Sequence, residues 1–119
     1  MNPTLTHAEE KLAELIWETA PVGSGKLTEL AQKRFGWKRT TTFTVLKRLI
    51  EKGLAENSTA TVAMLVTRQE LVSAQSRHFV NGAFSGSLPK FITAFIGNRK
   101  LSPEQAAEIK KIIEQHEEE

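Results

Sequence analysis

Apolar positions in the first half of the chain recur at helical spacing. Leu12, Leu15 and Ile16 follow a Thr6-x-x-Glu9 capping box, which predicts a helix over residues 7–20. Pro21, Gly23 and Gly25 end it. Ser24 is placed to cap a second helix, residues 25–35, with Leu27, Leu30 and Ala31 on one face and Gly36 as its stop. A third helix is expected from Arg39 to Lys52, closed by Gly53. At about 100° per residue, its positions Thr42, Val45, Leu46 and Leu49 share one side, with Ile50 at the edge. The opposite side carries Thr40, Thr44, Lys47 and Glu51, flanked by Thr41 and Arg48.

Past Gly53 the period changes. Residues 54–58 and the β-branched stretch Val62–Thr67 predict two short strands joined by a turn near Ser58–Thr61. Three helices followed by a hairpin is the order of a winged helix. Helical patterning then returns. Thr67-x-x-Glu70 opens a helix over residues 68–84, and Ser87 caps a short one ending at Gly97. Ser102-Pro103-Glu104-Gln105 starts a last helix that runs to the acidic end at Glu117–Glu119. The expected fold is mainly α with a small β-hairpin wing. A winged helix-turn-helix domain occupies residues 1–68, and a helical dimerisation region occupies 69–119.

The last helices are short and strongly amphipathic. Val72, Phe79, Leu88, Phe91, Ile92, Phe95, Ile109, Ile112 and Ile113 are more apolar side chains than such a region can bury against itself. Burial against a second copy accounts for them, with packing onto the winged helix of the same chain as the alternative.

Charge adds a direction. The net charge is only +2, yet residues 26–52 hold eight Lys/Arg against Glu29 and Glu51. A basic block at one place points to a polyanion, although a charge run alone also suits a solvated helix face. Helix periodicity narrows the choice. Thr40, Thr41 and Thr44 stand where short side chains reach base edges, and Lys38, Arg39, Lys47 and Arg48 are placed for phosphates or, for Arg48, a guanine. Trp37 is expected to serve the core, and Phe43 to be half buried.

Other chemistry is thin. The 119 residues include no Cys, which removes disulfides, zinc ribbons and cysteine nucleophiles. His7, His78 and His116 lack metal-ligand spacing, and Gly23-Ser24-Gly25-Lys26 lacks that of a phosphate loop. No enzyme, metal site or cofactor is expected. No apolar run has the length of a membrane span, so a cytoplasmic protein is expected, with no membrane partner.

The segment Trp37-Lys38-Arg39-Thr40-Thr41-Thr42-Phe43-Thr44-Val45-Leu46-Lys47-Arg48-Leu49-Ile50-Glu51-Lys52-Gly53 resembles the recognition-helix signature of the BlaI/MecI family of penicillinase repressors. The similarity continues through Phe79, Gly86-Ser87-Leu88, the apolar segment at 91–96 and the closing helix. The resemblance implies a homodimer on a palindromic operator in double-stranded DNA, with contacts from Thr40, Thr41, Thr44 and Arg48. It also implies a protease-based inducing system that cuts the repressor in its C-terminal part. The cleaved bond of the family is typically Asn-Phe, and the matching pair here, the candidate cleavage position, is Ala94-Phe95, which keeps the Phe and lacks the Asn. The family's wing tip has a Gly and a basic residue, for which Thr61 and Val62 stand here. The absence of Cys excludes the thiolate copper sensing of one family branch. Two other readings suit the same residues. One is a winged-helix adaptor whose basic patch binds an acidic protein, and the other is a regulator responding to a small molecule.

Overall fold

The structure, a computed structural model, describes residues 1–118. The elements run α1 (His7–Thr19), β1 (Val22–Gly23), α2 (Ser24–Phe35), α3 (Arg39–Glu51), β2 (Ala55–Ser58), β3 (Thr61–Met64), α4 (Arg68–Ala83), α5 (Leu88–Ile96) and α6 (Pro103–Gln115). The described residues form two compact units, one from Met1 to Phe79 and one from Val80 onward. The first unit passes the expected boundary at residue 68 because α4 sends Leu71 into its core.

Local chemistry sets most helix ends. The Thr6 hydroxyl accepts from Glu9 N–H at 3.2 Å, and the Glu9 carboxylate accepts from Thr6 N–H at 3.4 Å, completing the capping box of α1. Thr67 and Glu70 repeat the exchange at α4, at 3.0 and 3.1 Å. Ser87 and Ser102 cap α5 and α6 by accepting from Lys90 and Gln105 N–H. Gly36, at φ 71°, takes the left-handed stop of α2 that a side chain would strain. One cap differs from expectation. Gly23 holds the N-cap position of α2 and Ser24 is already helical, because Gly23 is drawn into a strand.

That strand is β1, which the sequence pattern does not predict. The sheet has the order β1-β3-β2 and is antiparallel throughout. Val22 pairs with Val62 and Gly23 with Thr61, while Ala55 to Ser58 pair with Met64 to Thr61. The hairpin tip is therefore Thr59-Ala60, both at positive φ (53° and 60°). This corrects the expected wing tip: Thr61 and Val62 lie in β3, and Val62 is fully buried because it faces the core between two neighbouring strands.

The core of the first unit gathers Leu12, Leu15 and Ile16 of α1, Leu27 and Ala31 of α2, and Val45, Leu46 and Leu49 of α3, with Leu54, Val62 and Leu71 closing it. Trp17 leans on this core and donates Nε1–H to Val66 O at 2.9 Å. The architecture is a winged helix-turn-helix: α2 and α3 form the helix pair, and β2–β3 the wing.

In the second unit α5 and α6 bury no residue. Phe91 lies between Phe84 and Phe95, with ring centroids at 5.6 and 5.8 Å. Among the described residues no helix is long and apolar enough to cross a membrane.

Candidate nucleic-acid interface

Burial divides α3 as its sequence period requires. Thr42, Val45, Leu46 and Leu49 are inside, and Thr40, Thr41, Thr44, Lys47 and Arg48 are exposed together on the other face. Lys38, the N-cap residue, and Arg39 are exposed at the start of the helix. The N-cap makes no side-chain hydrogen bond, so the first N–H groups of α3 stay open to an acceptor from outside. Phe35 and Trp37 pack with tilted rings, centroids 4.9 Å apart, on the border of the core, and the Arg39 guanidinium lies 5.4 Å from the Phe43 ring centroid. Trp37 and Phe43 are both half buried.

The face has a definite hydrogen-bonding character. Thr44 donates its hydroxyl proton to Thr40 O at 2.9 Å, leaving the oxygen lone pairs outward. In this rotamer Thr44 accepts rather than donates, which suits an adenine or cytosine amino group, and its methyl suits a thymine methyl. Arg48 projects a turn later with five N–H donors, the fork that matches guanine O6 and N7 or a phosphate.

The basic block does not reach the surface intact. Lys52 turns inward and donates to the buried carboxylate of Glu9, with a second bond to Thr4 O at 2.5 Å. Arg34 pairs with Glu18 at 2.5 Å, and Lys26 lies 3.7 Å from Glu29. Lys33, Lys38, Arg39, Lys47 and Arg48 remain without a carboxylate partner among the described residues. Of these, Lys33 on α2 was not singled out from the sequence, though the charge run contained it. The wing adds no cation: Glu56, Asn57, Ser58, Thr59, Ala60 and Thr61 are exposed and carry one negative charge.

The remaining candidates lie elsewhere. Val72, Phe79, Leu88, Phe95, Ile112 and Ile113 are exposed, and Phe91, Ile92 and Ile109 are half buried. Ala94 and Phe95 are exposed residues inside α5, where the backbone is helical. Among the described residues no group of three His, Asp or Glu is placed to hold a metal.

Fold and helix pair define a winged helix-turn-helix protein. The chain belongs to the penicillinase repressor family, whose description it matches over residues 5–115. It is 25% identical to the penicillinase repressor of Bacillus licheniformis over 118 residues, covering 96% of this chain and 92% of that protein. It is 22% identical to the methicillin resistance regulatory protein MecI of Staphylococcus aureus (strain N315), covering 92% of each. The solution structure of the DNA binding domain of the repressor BlaI superposes with a TM-score of 0.51 at 22% identity, covering 59% of this chain and 93% of that one. That likeness bears on fold, and the fold is the expected winged helix. The relatives are regulators, in agreement with the expectation of a non-enzyme.

Proposed function

We propose that the chain is a homodimeric transcriptional repressor that reads a palindromic operator with α3. One observation carries the reading: Thr40, Thr41, Thr44, Lys47 and Arg48 share the face of α3 opposite its buried side. Thr40, Thr41 and Thr44 would meet base edges, Arg48 a guanine or a phosphate, and Lys38, Arg39 and Lys47 the sugar-phosphate backbone. The names of the family and of its relatives support the same role.

Two features favour a second copy as the partner of the helical region. Its apolar side chains are exposed along α4, α5 and α6. Its charges are also split. Residues 71–103 hold Arg77, Lys90, Arg99 and Lys100 and no acidic residue, whereas residues 104–119 hold six Glu against Lys110 and Lys111. In a two-fold dimer each basic stretch can meet the acidic stretch of the other copy. Two α3 helices about 34 Å apart would enter successive major grooves, and the bound dimer would block polymerase sterically.

The test is fluorescence-anisotropy binding to the DNA upstream of the protein's own gene against a scrambled duplex, at two salt concentrations. Preference of about a thousandfold, with two chains per duplex, is expected. Arg48→Ala and Thr44→Ala should each weaken binding to the upstream DNA by about 1–3 kcal/mol without changing the melting temperature. Lys38→Ala should weaken binding to both duplexes and lower the salt slope by roughly one unit. Equal and weak binding to both duplexes would instead favour the adaptor reading, to which a wing without cations is suited.

A further inference from the structure

Lys52 belongs by sequence to the basic block, yet its ammonium is used up inside the protein. It bonds to Glu9, whose side chain is 2% exposed, and to Thr4 O. Glu9 is in turn held by the capping box of α1, so its carboxylate has a fixed place. The backbone of Lys52 is gripped from the same side, since its carbonyl accepts from Asn2 N–H at 2.9 Å. Segment 1–5 passes so near the exit of α3 that a Cβ on Gly53 would lie 3.7 Å from Met1 Cα. Pro3 is buried, and its carbonyl accepts from Gln75 Nε2 of α4 at 3.1 Å. The last turn of α3 is thus tied through segment 1–5 to α1 on one side and to α4 on the other.

We propose that Lys52 is a positioning residue for α3. Through Glu9 and segment 1–5 it fixes the angle at which the helix presents Thr40, Thr44 and Arg48, and Gln75 extends the tether to α4. Lys52 itself does not touch DNA. The inference rests on α3 being the recognition helix. A helix anchored only by its apolar face can rock about that face. A charge-assisted clamp at its C-terminal end removes this freedom, because an ion pair with a buried carboxylate has one geometry to satisfy.

The experiment uses the full chain with Lys52→Met, Lys52→Arg and the double variant Glu9→Gln/Lys52→Met. The double variant leaves no unpaired buried charge, so it keeps the fold if the single substitution does not. Affinity for the upstream duplex should fall at least about fivefold in Lys52→Met and in the double variant, the low end of what one mismatched base pair costs. Affinity for scrambled duplex and the salt slope should stay at parent values, and Lys52→Arg should recover most of the loss. A salt slope lowered by roughly one unit would overturn the proposal, because it marks a lost phosphate contact. Unchanged affinity for the upstream duplex would overturn it too. Amide hydrogen exchange decides independently of DNA. Amides of the last turn of α3 should exchange at least about tenfold faster in the double variant while those of α2 do not, a local opening rather than a global one. Should the parent show no preference for its upstream duplex, the functional reading fails. Unchanged exchange in α3 would then overturn the clamp, and selective loss would retain it.

Discussion

At Thr42 a hydroxyl is sealed in the core, and among the described residues nothing bonds to it. Thr19, Thr28, Thr44 and Thr93 each return their hydroxyl proton to a backbone carbonyl three or four residues back. Thr42 does not, so its burial costs desolvation with no compensating bond. Thr42→Val keeps the branched shape and removes the hydroxyl. It should raise stability by about 1 kcal/mol, roughly 4–8 °C in melting temperature. A thermal melt in which the variant unfolds at or below the parent's temperature would show that the hydroxyl is satisfied after all. The same scale marks the limit of the sequence. The outward set Thr40, Thr44 and Arg48 was legible because it follows from helix period alone. Lys52 was not, because its partner Glu9 lies 43 residues away and the capping box alone gives Glu9 a sufficient local role.

Among the elements, those defined by local chemistry could be placed from the sequence to within a residue or two. Capping boxes at Thr6 and Thr67, the serine caps at Ser87 and Ser102, and the stops at Gly36 and Gly97 each act over a few residues. The two-residue strand β1 left no such trace, since Val22-Gly23 becomes a strand only by pairing with Val62 and Thr61. The turn near Ser58–Thr61 is legible in the sequence, whereas a tip at Thr61 and Val62 follows the family's pattern and not the local residues. The two-residue loop Thr59-Ala60, with both φ values positive, is the type I′ turn, for which Asn-Gly is the usual pair. The turn persists because Ala60 O also accepts from Ser24 N–H at 2.8 Å, fastening the wing to the start of α2. A β-branched residue and an alanine in the left-handed region are strained. Thr59→Asn/Ala60→Gly should therefore stabilise the domain by about 1–2 kcal/mol, read as a shift of the urea midpoint at constant m-value. A wing that contacts DNA only weakly should leave affinity for the upstream duplex within about twofold of the parent's, below the effect of one base contact. A large drop in affinity would identify Thr59 or Ala60 as a contact.

For the whole molecule, the question is which force would hold two copies together. Exposed salt bridges contribute about 0–1 kcal/mol each and weaken with salt. Each large apolar side chain that goes from exposed to buried contributes about 1.5–3 kcal/mol. Phe79, Leu88, Phe95, Ile112 and Ile113 are about half exposed or more, so the apolar contribution would dominate the affinity of the proposed dimer. The split between the basic stretch 71–103 and the acidic stretch 104–119 then acts mainly on pairing order and partner choice. Raising salt should loosen the proposed dimer only modestly, whereas Phe95→Ser/Ile113→Ser should break it. Neither side chain is part of the buried core of the first unit, so the winged helix should melt as in the parent. The monomer should retain affinity for scrambled duplex, which needs only the basic face of α3. Its affinity for the palindrome should fall by about 10²–10⁴, the gain that linking two half-site contacts provides. Sedimentation of the double variant, followed by anisotropy on the upstream duplex, separates the two effects. A variant that still sediments as two chains places the interface on other residues. A monomer that binds the palindrome as tightly as the parent shows that one copy of α3 suffices, and a palindrome would then have no role in recognition.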